Sequence, residues 1–304
     1  MVVAQYVLTF REVLEAALLA AIILAFLVKT GRSSLARYAW YGVYAATGAS
    51  FGIGAAVLVA YGTLSQVDKV LFEGVAALIA VAVLTSMIYW MAVKGRTIKG
   101  EVENRVEAAV THGTMVGLAS LTFVLVFREG LETVLFLTPF LVVDVESTIL
   151  GALLGLGAGI ALSYAIFRVG LKLDLRKFFY FTSILLILIA GGLAGYGVHE
   201  LIEYAELRAV DLGWFGATAY ALPILSDSLF GHKGAIGSIF AVMFGYTTSA
   251  EWGRLVVHVA YLAIALPLII IVYRRPGWIR AFTMRLRGIA GPRAATGGTD
   301  PPKH

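Results

Sequence analysis

Run after run of apolar residues in this chain is long enough to cross a lipid bilayer, and that feature leaves few folds open. Inside hydrocarbon every backbone N–H and C=O has to be paired within the protein, so only α-helices and closed β-barrels span it. A barrel would read as short segments of alternating polarity. Here the runs are continuous and about 20 residues or longer, as a spanning helix requires. The predicted spans are roughly 2–28, 39–62, 70–93, 114–142, 147–168, 177–199 and 255–274. The expected fold class is therefore an all-α integral membrane protein with seven transmembrane helices, a multi-pass protein of the cell membrane. Composition agrees, since 14% of residues are charged against about 25% in soluble domains.

The basic residues set an orientation. Lys29 to Arg37, Lys94 to Arg105, Arg168 to Lys177 and the arginine-rich tail from Arg274 lie in alternate loops, on one side of the membrane. The other side holds only Lys69, Arg208, Lys233 and Arg254. The positive-inside rule then places the N-terminus outside and the C-terminus inside. The net charge of +5 follows from this topology and calls for no nucleic acid partner. The first run lacks a basic leader and contains Arg11, Glu12 and Glu15, so it reads as helix 1 and not as a signal peptide. Residues 1–275 form the seven-helix transmembrane domain, with 200–254 as a long external loop. Within that loop, Leu212–Leu225 and Ala235–Tyr246 are apolar but too short to span, and read as interfacial or re-entrant. Residues 276–304 form a basic cytoplasmic tail, with Trp278–Leu286 on the inner membrane surface and expected disorder from Gly288.

Charges inside two of the apolar runs are the chemically informative feature. Phe10-Arg11-Glu12-Val13-Leu14-Glu15 recurs as Phe127-Arg128-Glu129-Gly130-Leu131-Glu132. Each such charge costs about 2.5–3.5 kcal/mol to insert on translocon scales, and intramembrane charges mark sites or pathways more often than braces. Glutamates three apart share a helix face, and each Arg stands four residues before the second Glu of its motif. Helix 1 runs inward and helix 4 outward, so helices 1–3 and 4–6 read as an inverted repeat, a common transporter plan, with helix 7 outside it. Glycines four apart on helix 5 (Gly151, Gly155, Gly159) read as close-packing faces. If helices 1 and 4 meet, four carboxylates face two guanidiniums, a net −2 that suits a cation. Carboxylates are hard ligands for iron(III), manganese, calcium or magnesium. The absence of cysteine removes thiolate sites and disulfides.

With R-E-G-L-E on helix 4 and R-E-x-x-E on helix 1, the chain resembles the iron permease family, the fungal high-affinity iron permeases and their bacterial oxidase-dependent counterparts. Phe244-Gly245-Tyr246 and Glu251-Trp252 resemble the outer loop of the prokaryotic branch. The resemblance implies inward iron transport, with ferric iron as the expected form. It implies Glu12, Glu15, Glu129 and Glu132 as metal ligands and Arg11 and Arg128 as motif arginines, with iron as transported substrate and no cofactor. It also implies a separate iron oxidase or periplasmic iron-binding protein as partner, and not an enzyme in this chain. Oligomeric state is left open.

Secondary candidates for the outer approach are Glu73, His199, Glu200 and Glu203. His258 lies inside a helix as a proton relay or a core histidine, and His112 precedes helix 4. Asp144 and Glu146 read by default as turn carboxylates. Met87, Tyr89, Trp90 and Met91 read as packing and interfacial belt. Two alternatives stand beside iron permeation: a permease for manganese or lead, and a membrane-embedded di-iron oxidase. The latter would be expected to carry E-x-x-H motifs, which neither copy has.

Overall fold

The structure, a computed structural model, describes residues 2–94, 97–111, 115–169, 174–223 and 245–274, and the single positions 231, 237, 240 and 241. His112, Phe244, most of Ala235–Tyr246 and the tail from residue 275 lie outside the described residues. Among the described residues the chain forms helices α1 (Val3–Lys29), α2 (Ala36–Gly62), α3 (Gln66–Lys94), α4 (Ile98–Thr111), α5 (Met115–Leu141), α6 (Val145–Tyr164), α7 (Leu175–Leu207) and α8 (Trp252–Arg274). Five of the long helices are apolar enough to cross a bilayer by composition: those within Ser33–Gly62, Gln66–Val93, Val145–Phe167, Lys177–Leu207 and Trp252–Arg274. The other two long helices, α1 and α5, are equally extended but each carries one Arg and two Glu. The protein is an all-α membrane protein.

Three local expectations change. The predicted loop after helix 3 contains α4, a polar helix with Val102 and Val106 buried against Ile23, Leu27, Ala39 and Leu118. Its apolar stripe, Ile98, Val102, Val106 and Val110, stands four residues apart on one face, but charged and polar residues dominate the rest and give the stretch the look of a loop. Helix α7 runs to Leu207, past the expected end at 199, so Glu200 and Glu203 are helical like His199 and not in the loop. The stretch 212–225, for which no regular structure was expected, has a defined one where it is described. After a 3-10 turn at Gly213–Phe215, Thr218–Ala221 (β1) pairs antiparallel with Ser249–Glu251 (β2), with Thr218 opposite Glu251 and Ala221 opposite Ser249. Its run of small and aromatic residues suits a short ribbon as well as a helix.

Packing is pairwise: α1 lies on α6, α2 on α5, α3 on α7, with α1 against α5 at the centre and α8 on α7 and α3. Glycine allows the closest approaches. A Cβ at Gly151 would meet the Val2 carbonyl, Gln5 and Tyr6; one at Gly42 would meet the Ala119 carbonyl, Thr122 and Phe123. Counted back from Arg11 and Arg128, these two sets of neighbours stand at the same positions. Gly151, Gly155 and Gly159 meet progressively later residues of α1, so α1 and α6 run parallel. Gly42 and Gly54 meet progressively later residues of α5, so α2 and α5 also run parallel. Between α3 and α7, Gly74 faces the Gly197 carbonyl and Leu201, while Gly197 faces the Gly74 carbonyl and Leu78. That reciprocal contact fits antiparallel helices crossing at their glycines.

The one difference between the motifs has a packing cause. On α1 the motif carries Val13, and Gly159 of α6 makes room for it; on α5 the motif carries Gly130, and Ser50 of α2 fills the space. Side chain and gap have exchanged helices. Gly130→Ala should therefore overpack against Ser50 and destabilise the protein by about 1–3 kcal/mol. Adding Ser50→Gly should restore most of the loss, which thermal melting of the purified single and double variants measures.

Candidate metal-ion site

Helices α1 and α5 bring the two motifs face to face. Side-chain oxygens of Glu12, Glu15 and Glu129 all lie within 4.8 Å of one another. Glu12 and Glu129 are each 1% exposed, Glu15 4%, and Glu132 borders the group at 15%. Each Arg serves its own motif, as the spacing implied. Arg11 Nη1 donates to Glu12 Oε1 at 2.9 Å, and its Nη2 lies 2.7 Å from Glu15 Oε1. Arg128 Nη2 donates to Glu129 Oε1 at 2.7 Å, and its Nε lies 3.4 Å from Glu132 Oε1. With one oxygen of each pair held by a guanidinium, Glu12 Oε2, Glu129 Oε2 and Glu132 Oε2 are buried and accept no hydrogen bond. An unpartnered buried carboxylate oxygen is expensive in a protein interior. Two of them belong to glutamates of the Glu12–Glu15–Glu129 cluster, an arrangement that a bound cation would relieve.

The two arginines are not equivalent. Arg11 is 0% exposed and its Nη1 also donates to the Met87 sulfur. Arg128 is 45% exposed and lies over the Trp90 ring at 5.1 Å from the centroid, a cation–π contact. Helix α3 thus touches both guanidiniums, from residues that the sequence alone placed among packing and belt residues. Their i, i+3 spacing was visible, but nothing in it says that the face they form meets the motifs.

The secondary candidates divide. The Glu73 carboxylate accepts the Tyr61 hydroxyl at 2.5 Å and the Tyr196 hydroxyl at 2.7 Å. It stands beside the Gly74–Gly197 crossing, apart from the central glutamates. His199, Glu200 and Glu203 have ligand atoms within 4.8 Å of one another, and His199 Nδ1 also pairs with Glu251 Oε1 at 3.1 Å. His258 Nδ1 is 2.8 Å from the Gly191 carbonyl, the contact of a core histidine. It also lines a cavity of about 450 Å³ with Tyr220, Tyr246 and Arg254. Asp144 caps α6 by accepting from the Ser147 backbone. Its hydrogen bonds to Ser147 hold its carboxyl below the ordinary range, as fits a structural turn carboxylate. Tyr61 and Tyr196 were not foreseen, because tyrosines at helix ends read as interfacial anchors, and Glu251, quoted only for the outer loop, was not foreseen as the partner of His199.

The description of the iron permease FTR1 family matches residues 2–272. This chain belongs to that family. An uncharacterised protein of Archaeoglobus fulgidus is 48% identical over 265 residues, covering 87% of this chain and 93% of its own. Ferrous iron permease EfeU of Escherichia coli strain CFT073 is 34% identical over 254 residues, covering 81% and 92%. The protein of that name from Yersinia pestis is 34% identical over 266 residues, covering 86% and 91%. No solved structure matches. Family and apolar helices together make the chain a multi-pass membrane permease of an iron-transporting family.

Burial ranks the two arginines of the permease. Arg11→Met leaves two carboxylates uncompensated in a sealed site and should cost about 3–5 kcal/mol. Arg128→Met, at a half-exposed position, should cost clearly less. Thermal unfolding of the two purified variants tests the order, and equal losses would contradict it.

Proposed function

We propose that the permease imports iron through a site formed by Glu12, Glu15, Glu129 and Glu132. The observation that carries this reading is the set of buried carboxylate oxygens left without donors between α1 and α5. The proposed topology is seven spans, α1–α3 and α5–α8, with α4 on the inner surface, the N-terminus outside and the C-terminus inside. Helices α1 to α3 and α5 to α7 are the two inverted repeats, and α8 stands apart. The recurring neighbours of Gly42 and Gly151, and the reciprocal Gly74–Gly197 contact, support that symmetry. Iron moves by alternating access of the repeats around the fixed carboxylates, with Arg11 and Arg128 taking the glutamates back as the ion leaves. A separate iron oxidase or periplasmic iron-binding protein is the proposed partner.

Two effects bear on valence. Hard oxygen donors favour ferric iron, the form the sequence led us to expect. The formal charge of four glutamates and two arginines, −2, is balanced by ferrous iron, whereas a ferric ion leaves one uncompensated charge. An uncompensated buried charge costs several kcal/mol, more than a preference between two ions that oxygen ligands both accept. The charge term decides, and ferrous iron is the proposed cargo, the form for which the E. coli and Yersinia relatives are named.

A di-iron oxidase is disfavoured because no histidine joins the central cluster among the described residues. Manganese and lead remain rivals that only competition can separate. In proteoliposomes, Glu12→Gln, Glu15→Gln, Glu129→Gln and Glu132→Gln should each reduce iron uptake by at least tenfold relative to wild type, roughly the loss of 1.4 kcal/mol or more. Uptake surviving all four changes would make the motifs braces. Offered side by side, iron held ferrous by ascorbate should enter faster than iron held ferric by nitrilotriacetate; the reverse order would return the ferric reading to first place.

A further inference from the structure

Above the carboxylates, on the N-terminal side of α1, two further oxygens have no partner. Gln5 is 1% exposed and Thr9 4%. Gln5 Nε2 donates to Thr148 Oγ1 at 3.3 Å, which leaves Gln5 Oε1 free, and Thr9 Oγ1 is also without a hydrogen-bond partner. Thr9 is unusual in this. Thr47, Ser50, Thr85, Thr122, Thr133, Thr138 and Ser163 all donate to the carbonyl four residues back, the usual outlet for a hydroxyl inside a helix. Thr9 forgoes that bond although its helix is intact.

Spacing lines these oxygens up with the site. Gln5, Thr9 and Glu12 follow at i, i+4 and i+7, one stripe of the helix. Thr9 stands about 4.5 Å and Gln5 about 10.5 Å along the axis from Glu12. The glycine face of α6 closes on the stripe: a Cβ at Gly151 would come within 2.8 Å of Gln5 Cβ, and one at Gly155 within 3.0 Å of Thr9 Cβ. The other repeat has no such feature. At the positions of Gln5 and Thr9 it carries Thr122, whose hydroxyl is used by the Leu118 carbonyl at 2.9 Å, and Val126. Free oxygens therefore extend from the carboxylates along α1 and not along the matching part of α5.

We propose that Gln5 Oε1 and Thr9 Oγ1 form an outer subsite that takes a partly dehydrated divalent cation ahead of the glutamates. Neutral oxygens of this kind replace hydration waters, as backbone carbonyls do in channel filters, and they bind weakly enough to pass the ion on. The proposal rests on the carboxylate site described above. It gives the pathway a direction, because only the side assigned to the exterior has the subsite.

The test compares wild-type protein with Thr9→Val, Thr9→Ser, Gln5→Leu and Glu12→Gln in proteoliposomes, with ferrous iron as the probe, and follows melting temperature beside uptake. Thr9→Val removes an unsatisfied acceptor at constant shape, so the apo-protein should melt no lower than wild type. The same variant and Gln5→Leu should raise the KM for iron several-fold, while Thr9→Ser stays near wild type. If Thr9→Val and Gln5→Leu transport normally while Glu12→Gln is inactive, the subsite is wrong and the carboxylate site stands. A lower melting temperature for Thr9→Val would also overturn the subsite, by making Thr9 a structural hydrogen-bonding residue. If Glu12→Gln itself transports normally, the carboxylate site fails and takes the subsite with it.

Discussion

Keeping two arginines and four glutamates inside an apolar bundle is the constraint that organises this structure. Each ion would be costly alone, and the protein meets the cost by pairing every guanidinium with glutamates of its own helix. Intrahelical pairing makes each motif a self-contained unit. The two helices can then approach without either depending on the other for neutralisation. What remains is a cluster of buried carboxylates with oxygens that accept no hydrogen bond, and like charges held together in a dry place demand a cation or protons. Structure and chemistry share one origin: the pairing that lets the motifs be buried also leaves the excess negative charge that can bind metal.

Close backbone contact serves that arrangement. Helices α6 and α2 press their small residues against α1 and α5 from outside, holding the motif helices at short range. The exchange of Val13 and Gly159 for Gly130 and Ser50 shows that contact volume, and not the identity of any one residue, is what each pair preserves. Helix α3 adds an asymmetry, meeting sealed Arg11 with Met87 and half-exposed Arg128 with the face of Trp90. A thioether and an indole ring are soft supports that yield to a moving cation more easily than a carboxylate would.

Much of this was legible from residues alone, because a bilayer enforces simple rules. Apolar length marks the helices, and charged groups inside α1 and α5 announce the candidate site by being out of place. The spacing of Arg11 with Glu15 and of Arg128 with Glu132 already implied the observed ion pairs. Elements that obey no such rule were missed. Helix α4 sets its thin apolar stripe, Ile98 to Val110, among charged residues, and the β1–β2 ribbon comes from strands of four and three residues joined across a long stretch of chain. The free oxygens of Gln5 and Thr9 are invisible in sequence, where a threonine inside a helix is expected to bond back to its own backbone. His258 went the opposite way: conspicuous as a lone histidine in an apolar helix, it is occupied by the Gly191 carbonyl.

Iron K-edge X-ray absorption of the purified permease loaded with ferrous iron tests the carboxylate site most directly. The account predicts a first shell of oxygen alone, with the signal lost when Glu12 and Glu129 are both changed to glutamine. Imidazole scattering beyond the first shell, or a sulfur neighbour, would place the metal at His199 or Met87 instead and contradict the account.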